Sequence, residues 1–229
     1  MLFIGDVHGM VDKYEKIVDS VPENVVTVAL GDMGIGFPKH PDITERYNKI
    51  HAIVHTDRNM NTSISGRARY FIRGNHDNPE ACIKSLGFLG EYGCKGAAWG
   101  ESFFYVGGGL SIDRKLRTEG VSWWPNEQLS STLMEEAMEL WRASGHYAQV
   151  MLSHSCPTMI LRELFGVDYS YSATSQFLQN MFEQRSPILK YWIFGHLHKS
   201  YRRKIAGVWF IGLDELETIT LHDLRVGCV

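Results

Sequence analysis

Apolar runs in this chain are short, and several of them end alike. The segment LFIG (2–5) is apolar and stopped by glycine, as a buried strand would be, and Asp6 and His8 follow at once. DKYEKIVDSV then places Tyr14, Ile17, Val18 and Val21 on one helical face. NVVTVALGD predicts a second strand closed by Gly31-Asp32, DITERYNKI opens a helix expected over 42–62, and ARYFIRGNHD (68–77) predicts a third strand. Strand, helix, strand, helix, strand is the order of parallel β-α-β units.

The middle of the chain changes rhythm. ESFFYVGGG (101–109) predicts a strand, and residues 125–145 a helix, with Pro125 in its first turn and Gly145 as its stop. Leu129, Leu133, Ala137, Leu140 and Trp141 share a face of that helix. AQVMLSH (148–154) and KYWIFGHLH (190–198) predict two further strands, each running into histidine. The tail carries the strand-like runs KIAGVWFIG and LETITLH at hairpin spacing. The stretch 155–189 reads as helical with breaks, placed between two strand ends as a lid would be. One α/β domain over 1–229 is the expected organisation.

Composition narrows this little. With 229 residues, 44% hydrophobic and 21% charged, the chain can bury a sizeable core. A formal net charge of −3 speaks against a protein that tracks long nucleic acid. No apolar run reaches the roughly 18–20 residues of a membrane span. No leader pattern precedes Asp6, which argues for a non-exported, cytoplasmic protein. Cys82, Cys94, Cys156 and Cys228 form no C-x-x-C pair and are expected to be reduced thiols.

The strand ends carry the chemistry. Asp6-Val7-His8, Gly31-Asp32, Gly74-Asn75-His76-Asp77, Ser153-His154 and Gly195-His196-Leu197-His198 each follow an apolar strand. In open α/β sheets the functional crevice lies outside the carboxyl ends of the strands. Imidazole, carboxylate and amide oxygen without thiolate suit Mn, Fe, Zn, Co or Ni better than Ca or a lone Mg. The donors are too many for one ion, and two ions sharing a carboxylate would use them all. Such a pair suits hydrolysis of a phosphate ester.

Taken in order, DVH, GD, GNHD, H and GHLH resemble the calcineurin-like metallophosphoesterase superfamily, over residues 6 to 198. The resemblance implies a four-layer α/β/β/α sandwich of two mixed sheets, with two divalent ions at their edge, manganese foremost. It places Asp6, His8, Asp32 and His198 on one ion, and Asp32, Asn75, His154 and His196 on the other. His76 matches the histidine that touches the phosphate and protonates the leaving alkoxide. A hydroxide between the ions would be the nucleophile, without a covalent phosphoenzyme. The implied substrate is a small-molecule phosphate ester or nucleotide.

The match departs at GDMGIGF. The protein-phosphatase branch has an Asp-Arg pair where this chain has Ile35 and Gly36. Without that arginine a protein phosphatase is disfavoured, and a diester gains over a monoester. Arg73, Arg114 and Arg117 are candidates to restore the phosphate grip. Trp123 and Trp124 either stack on a substrate base or pack under the following helix. Asp77 either caps a helix before Pro79 or supports His76, the cap being preferred. Tyr169 and Tyr171 either close over a substrate or lie on a surface loop. His40, His51, His55, His146 and His222 stand outside the motifs and are expected to be packed or exposed. The alternatives are a phosphomonoesterase and a scaffold that binds metal without catalysis.

Overall fold

The structure is a computed structural model that describes residues 1–38, 41–52, 68–96, 102–144, 147–166 and 172–227. Strands β1 (Leu2–Ile4), β2 (Thr27–Ala29) and β3 (Arg69–Phe71) are almost wholly buried, and apart from Thr27 and Arg69 at the starts of β2 and β3 they run apolar on both faces. They pair in parallel, Phe3 beside Val28 and Val28 beside Tyr70. The connecting helices α1 (Val11–Ser20) and α2 (Pro41–Ala52) bury Tyr14, Val18, Tyr47 and Ile50 against this sheet. The predicted helix over 42–62 is thus present to Ala52, and its remainder lies outside the described residues.

A second sheet of six strands follows. β4 (Tyr92–Lys95) is antiparallel to β5 (Phe103–Val106), and β5, β6 (Val150–Ser153) and β7 (Tyr191–Phe194) are parallel. β9 (Val208–Gly212) continues in parallel, and β8 (Tyr201–Ile205) closes the edge antiparallel to it. α4 (Ser131–Ser144), α5 (Thr158–Phe165) and α6 (Ala173–Glu183) cover its outer face around Trp141, Ile160, Phe182 and Trp192. Between the sheets Phe3, Val28, Leu30, Phe103, Leu152, Ile193 and Ile211 interdigitate. Each such side chain contributes roughly 1.5–3 kcal/mol on burial. Helices, sheet, sheet, helices is the expected four-layer sandwich.

Several local expectations change. KIAGVWFIG and LETITLH do not form a hairpin: β9 turns back on β8, whereas β10 (Thr218–Thr220) crosses to the first sheet and pairs with β1. The chain then enters α7 (Leu221–Val226) through a capping box of Thr220 and Asp223. α4 begins at Ser131 and not at Pro125, because the Glu127 carbonyl is taken by Arg73 and Gly109. Ser130 Oγ accepts the Leu133 N–H at the actual start, and Gly145 lies outside the described residues. Segment 155–189 supplies α5 and α6, which form part of the outer layer.

Asp77 serves neither predicted purpose. Asn78 caps the short α3 (Pro79–Ile83), its side chain accepting the N–H groups of Glu80 and Ala81. Asp77 is wholly buried, and its two carboxylate oxygens accept the N–H groups of Met33, Gly34, Ile35 and Gly74. It joins the loop after β2 to the loop after β3.

Cys82, Cys94 and Cys156 are free thiols, and Cys228 lies outside the described residues. No helix among the described residues is long and apolar enough to cross a membrane.

Candidate metal centre

The parallel strands of both sheets end at one rim. β1 delivers Asp6 and His8, β2 Asp32, β3 Asn75 and His76, β6 His154, and β7 His196 and His198. Two sets of donor atoms converge there: Asp6, His8, Asp32 and His198, and Asp32, His154 and His196. Asp32 belongs to both. His8 Nε2 lies 2.8 Å from His198 Nε2, and His198 Nε2 lies 3.2 Å from Asp6 Oδ2. Asn75 Oδ1 joins the second set at 2.9 Å from His154 Nε2.

The backbone is contorted to achieve this. Among the described residues, His8, Asp32, His196 and His198 all have positive φ, between 46° and 69°. Non-glycine residues pay for that conformation, and it gathers where function over-determines the structure. Two glycines make the crowding tolerable. A Cβ on Gly74 would sit 2.0 Å from Asp32 Oδ1, and one on Gly195 would sit 2.2 Å from Asp6 Oδ1.

Electrostatics indicate which partner the cluster suits. Burial, with Asp6 and Asp77 nearby, pushes the Asp32 carboxyl well above the usual range. Burial pushes His154 and His196 down to about 3, so both imidazoles are neutral near pH 7. His154 Nδ1 faces the Leu30 carbonyl at 2.8 Å, and a carbonyl only accepts. Its proton is therefore on Nδ1, and Nε2 presents a lone pair to the cluster. The Asn75 amide donates through Nδ2 to Ser111, so Oδ1 also presents lone pairs. Acceptor faces acceptor, and a cation is the partner both require. The residues fit a pair of divalent ions on this ground.

Beside the donors lies a cavity of about 380 Å³. Asp32, Asn75, His76, His196 and His198 form its polar side, and Leu110, Ile112, Leu161, Phe165 and Leu197 an apolar one. His76 is held in its wall. Its backbone N–H donates to Asp32 Oδ1 at 2.8 Å, and its ring stacks near that of Phe37. The Arg117 guanidinium lies against the ring, Nη1 3.0 Å from Nδ1 and Nη2 2.9 Å from Nε2. Burial first, then the Arg117 charge, pushes His76 down to about 3.

Of the three predicted arginines only Arg117 reaches the cavity, where Asp113 holds its Nε at 2.7 Å. Arg73 is buried, tied to Glu91 and to the Glu127 carbonyl, and cannot turn to a substrate. Arg114 is exposed on a 3-10 turn outside the cavity lining. Trp124 is buried edge-on against Phe37, a packing role, though against the loop after β2. Tyr169 and Tyr171 lie outside the described residues. His51 is a core histidine, bonded to Tyr14 and the Leu86 carbonyl. Reading the sequence did not find Phe37, Ser111, Glu127 or Glu215, the last lying 3.3 Å from His198 Nδ1.

A profile of the calcineurin-like phosphoesterases matches residues 1–200. The chain belongs to this family. Calcineurin-like phosphoesterases are metal-dependent hydrolases of phosphate esters, and the ordered strand-end motifs are where this chain carries the likeness. Among solved structures, a proposed 5′-nucleotidase of Staphylococcus aureus, in complex with alpha-ketoglutarate, superposes with a TM-score of 0.53 at 12% identity. That alignment covers 93% of this chain and 48% of the other, so this chain spans about half its length. GAP50, the anchor in the inner membrane complex of Plasmodium, gives 0.50 at 9% identity, covering 93% and 71%. At such identity these likenesses concern the fold alone. The search of curated proteins found no match to this chain.

Proposed function

We propose that this chain hydrolyses a phosphodiester or nucleotide-type ester with two divalent metal ions. One ion is assigned to Asp6, His8, Asp32 and His198, the other to Asp32, Asn75, His154 and His196. The observation that carries the reading is Asp32, shared by two donor sets and lining the cavity that holds His76 and Arg117. Bound there, the ions would supply Lewis-acid polarisation of the phosphoryl group and an acidified water. Manganese is the first choice among Mn, Fe, Zn, Co and Ni for this donor set.

The remaining steps belong to side chains. His76 is the proposed general acid, yet beside Arg117 its imidazole is neutral and faces a cation. An anionic phosphoryl group beside Arg117 reverses that balance, drawing the guanidinium and favouring the imidazolium. Protonation of His76 is then coupled to the arrival of substrate. The leaving alkoxide takes that proton, and water exclusion falls to Leu161 and Phe165 on α5.

One arginine, already shared with Asp113, suits the single charge of a diester better than the double charge of a monoester. The apolar wall suits a leaving group with a flat or aliphatic body, such as a nucleoside. The free thiols accord with a cytoplasmic setting.

The test compares p-nitrophenyl phosphate with bis-p-nitrophenyl phosphate after chelation and return of Mn²⁺. The diester should be the better substrate, and His76→Ala should lose about 10²–10⁴-fold in kcat while keeping its metal. A monoester preference would mean that Arg117 grips a dianion, which is the second reading. Two bound ions with no turnover of either ester would sink both.

A further inference from the structure

The Asn75 side chain has two ends of almost the same shape and opposite hydrogen-bonding sense, and only the oxygen end is a metal ligand. What fixes the choice lies one and two residues away from the cluster in space. Asn75 Nδ2 donates to Ser111 Oγ at 2.9 Å. Ser111 Oγ donates to Glu127 Oε2 at 2.5 Å, while Ser111 N donates to Glu127 Oε1 at 3.0 Å. Ser111 is 3% exposed and Glu127 1%, so water does not substitute for either.

Proton counting gives the direction. A serine hydroxyl has one proton, and here it goes to the carboxylate, which accepts on both oxygens. Ser111 Oγ is left with lone pairs alone on the side of Asn75. A flipped amide would set its oxygen against those lone pairs. It would also turn its NH₂ group toward His154 Nε2, where Oδ1 now lies at 2.9 Å. Glu127 is itself fixed, its carbonyl accepting from Arg73 Nη1 at 2.6 Å and from Gly109 N at 3.2 Å.

We propose that Glu127, acting through Ser111, is a positioning residue that locks the Asn75 amide with its oxygen toward the second ion. This rests on the assignment of Asn75 as a ligand, and it adds a carboxylate that touches neither ion nor substrate. Groups behind a metal ligand commonly tune affinity by about 10–100-fold.

Glu127→Gln is the informative change, because its amide can donate to Ser111 Oγ and release the hydroxyl proton toward Asn75. In the full chain, calorimetric titration of chelated protein with Mn²⁺ should show the second ion about 10–100-fold weaker. The first ion should be unchanged. Asn75→Asp supplies the control, since both ends of a carboxylate are oxygen and orientation ceases to matter. In that background Glu127→Gln should no longer weaken the second ion, since the freed Ser111 proton then meets a carboxylate oxygen.

Equal losses in both backgrounds would overturn the proposal, since they would mean general packing. Unchanged second-ion affinity in Glu127→Gln alone would overturn it too. Should Glu127→Gln not fold, Ser111→Ala gives the same comparison, because the Ser111 N–H bond to Glu127 survives it. Asn75→Ala separates the underlying assignment: full second-ion affinity there removes Asn75 from the ligands, whatever Glu127 does.

Discussion

Asn75 Oδ1 and His154 Nε2 face each other at 2.9 Å, and neither has a proton to offer the other. Two buried acceptors in that arrangement repel, and folding alone does not repair it. The chain is therefore expected to gain stability from divalent ions. Adding Mn²⁺ to chelated protein at about 100 times its Kd should stabilise it by about 2.7 kcal/mol for each site filled. Thermal unfolding with and without chelator measures this. A midpoint indifferent to Mn²⁺, Zn²⁺ and Co²⁺ would contradict the assignment of a metal centre.

Arg117 should govern both the charge of His76 and the hold on the substrate. Removing the guanidinium in Arg117→Ala should raise the His76 pKa from about 3, though burial keeps it below an exposed histidine. Proton NMR titration of the chelated protein reads this shift. The same variant should raise KM for an anionic ester by about 10–100-fold, the worth of a charge-assisted hydrogen bond. Arg117→Lys should recover little, since an ammonium lacks the planar two-pronged grip of a guanidinium on phosphoryl oxygens.

Acid should destabilise the chelated protein through its buried histidines, His154 among them. Its folded pKa of about 3 lies below the unfolded value near 6.5. Above pH 6.5 both states are neutral, so the full stability is present. As pH falls from 6.5 toward 3 the unfolded chain takes up the proton first, and stability drops by about 1.4 kcal/mol per pH unit for His154 and by as much again for each of His196 and His76, which share its value. Urea midpoints at pH 7, 6 and 5 give the slope. His154→Gln should take away about one third of it.

Asp77→Asn should destabilise more than its small change suggests. Each Asp77 oxygen accepts two backbone N–H groups, so an amide NH₂ meets two donors whichever way it turns. The expected loss is about 3 kcal/mol or more, from donors left buried and unpaired. Chemical denaturation measures it. A change under about 0.5 kcal/mol would mean that the two loops hold without this carboxylate.

The strand ends were legible because physics compresses them into a few adjacent residues. A parallel strand buried on both faces is mostly apolar, and a donor side chain at its tip must follow within a few positions. Asp6, Asp32, Asn75, His154 and His196 all obey that rule. Ser111 and Glu127 did not announce themselves, since their bond spans 16 residues and PNEQ reads as an ordinary acidic helix start. Arg73 misled for the opposite reason: it adjoins GNHD in sequence, yet its side chain goes to Glu91. The tail misled through spacing alone, because a run fit for a hairpin was taken up by the other sheet.

The donors at the rim come from both sheets. β1, β2 and β3 supply Asp6, His8, Asp32 and Asn75, while β6 and β7 supply His154, His196 and His198. Each proposed ion thus sits across the seam of the sandwich, and the distance between its ligands is the distance between the sheets. Phe3, Val28, Ile193 and Ile211, packed between those sheets, act as spacers that calibrate the site. A methyl group lost from one of them would reach the chemistry as an error of alignment, without any ligand having changed.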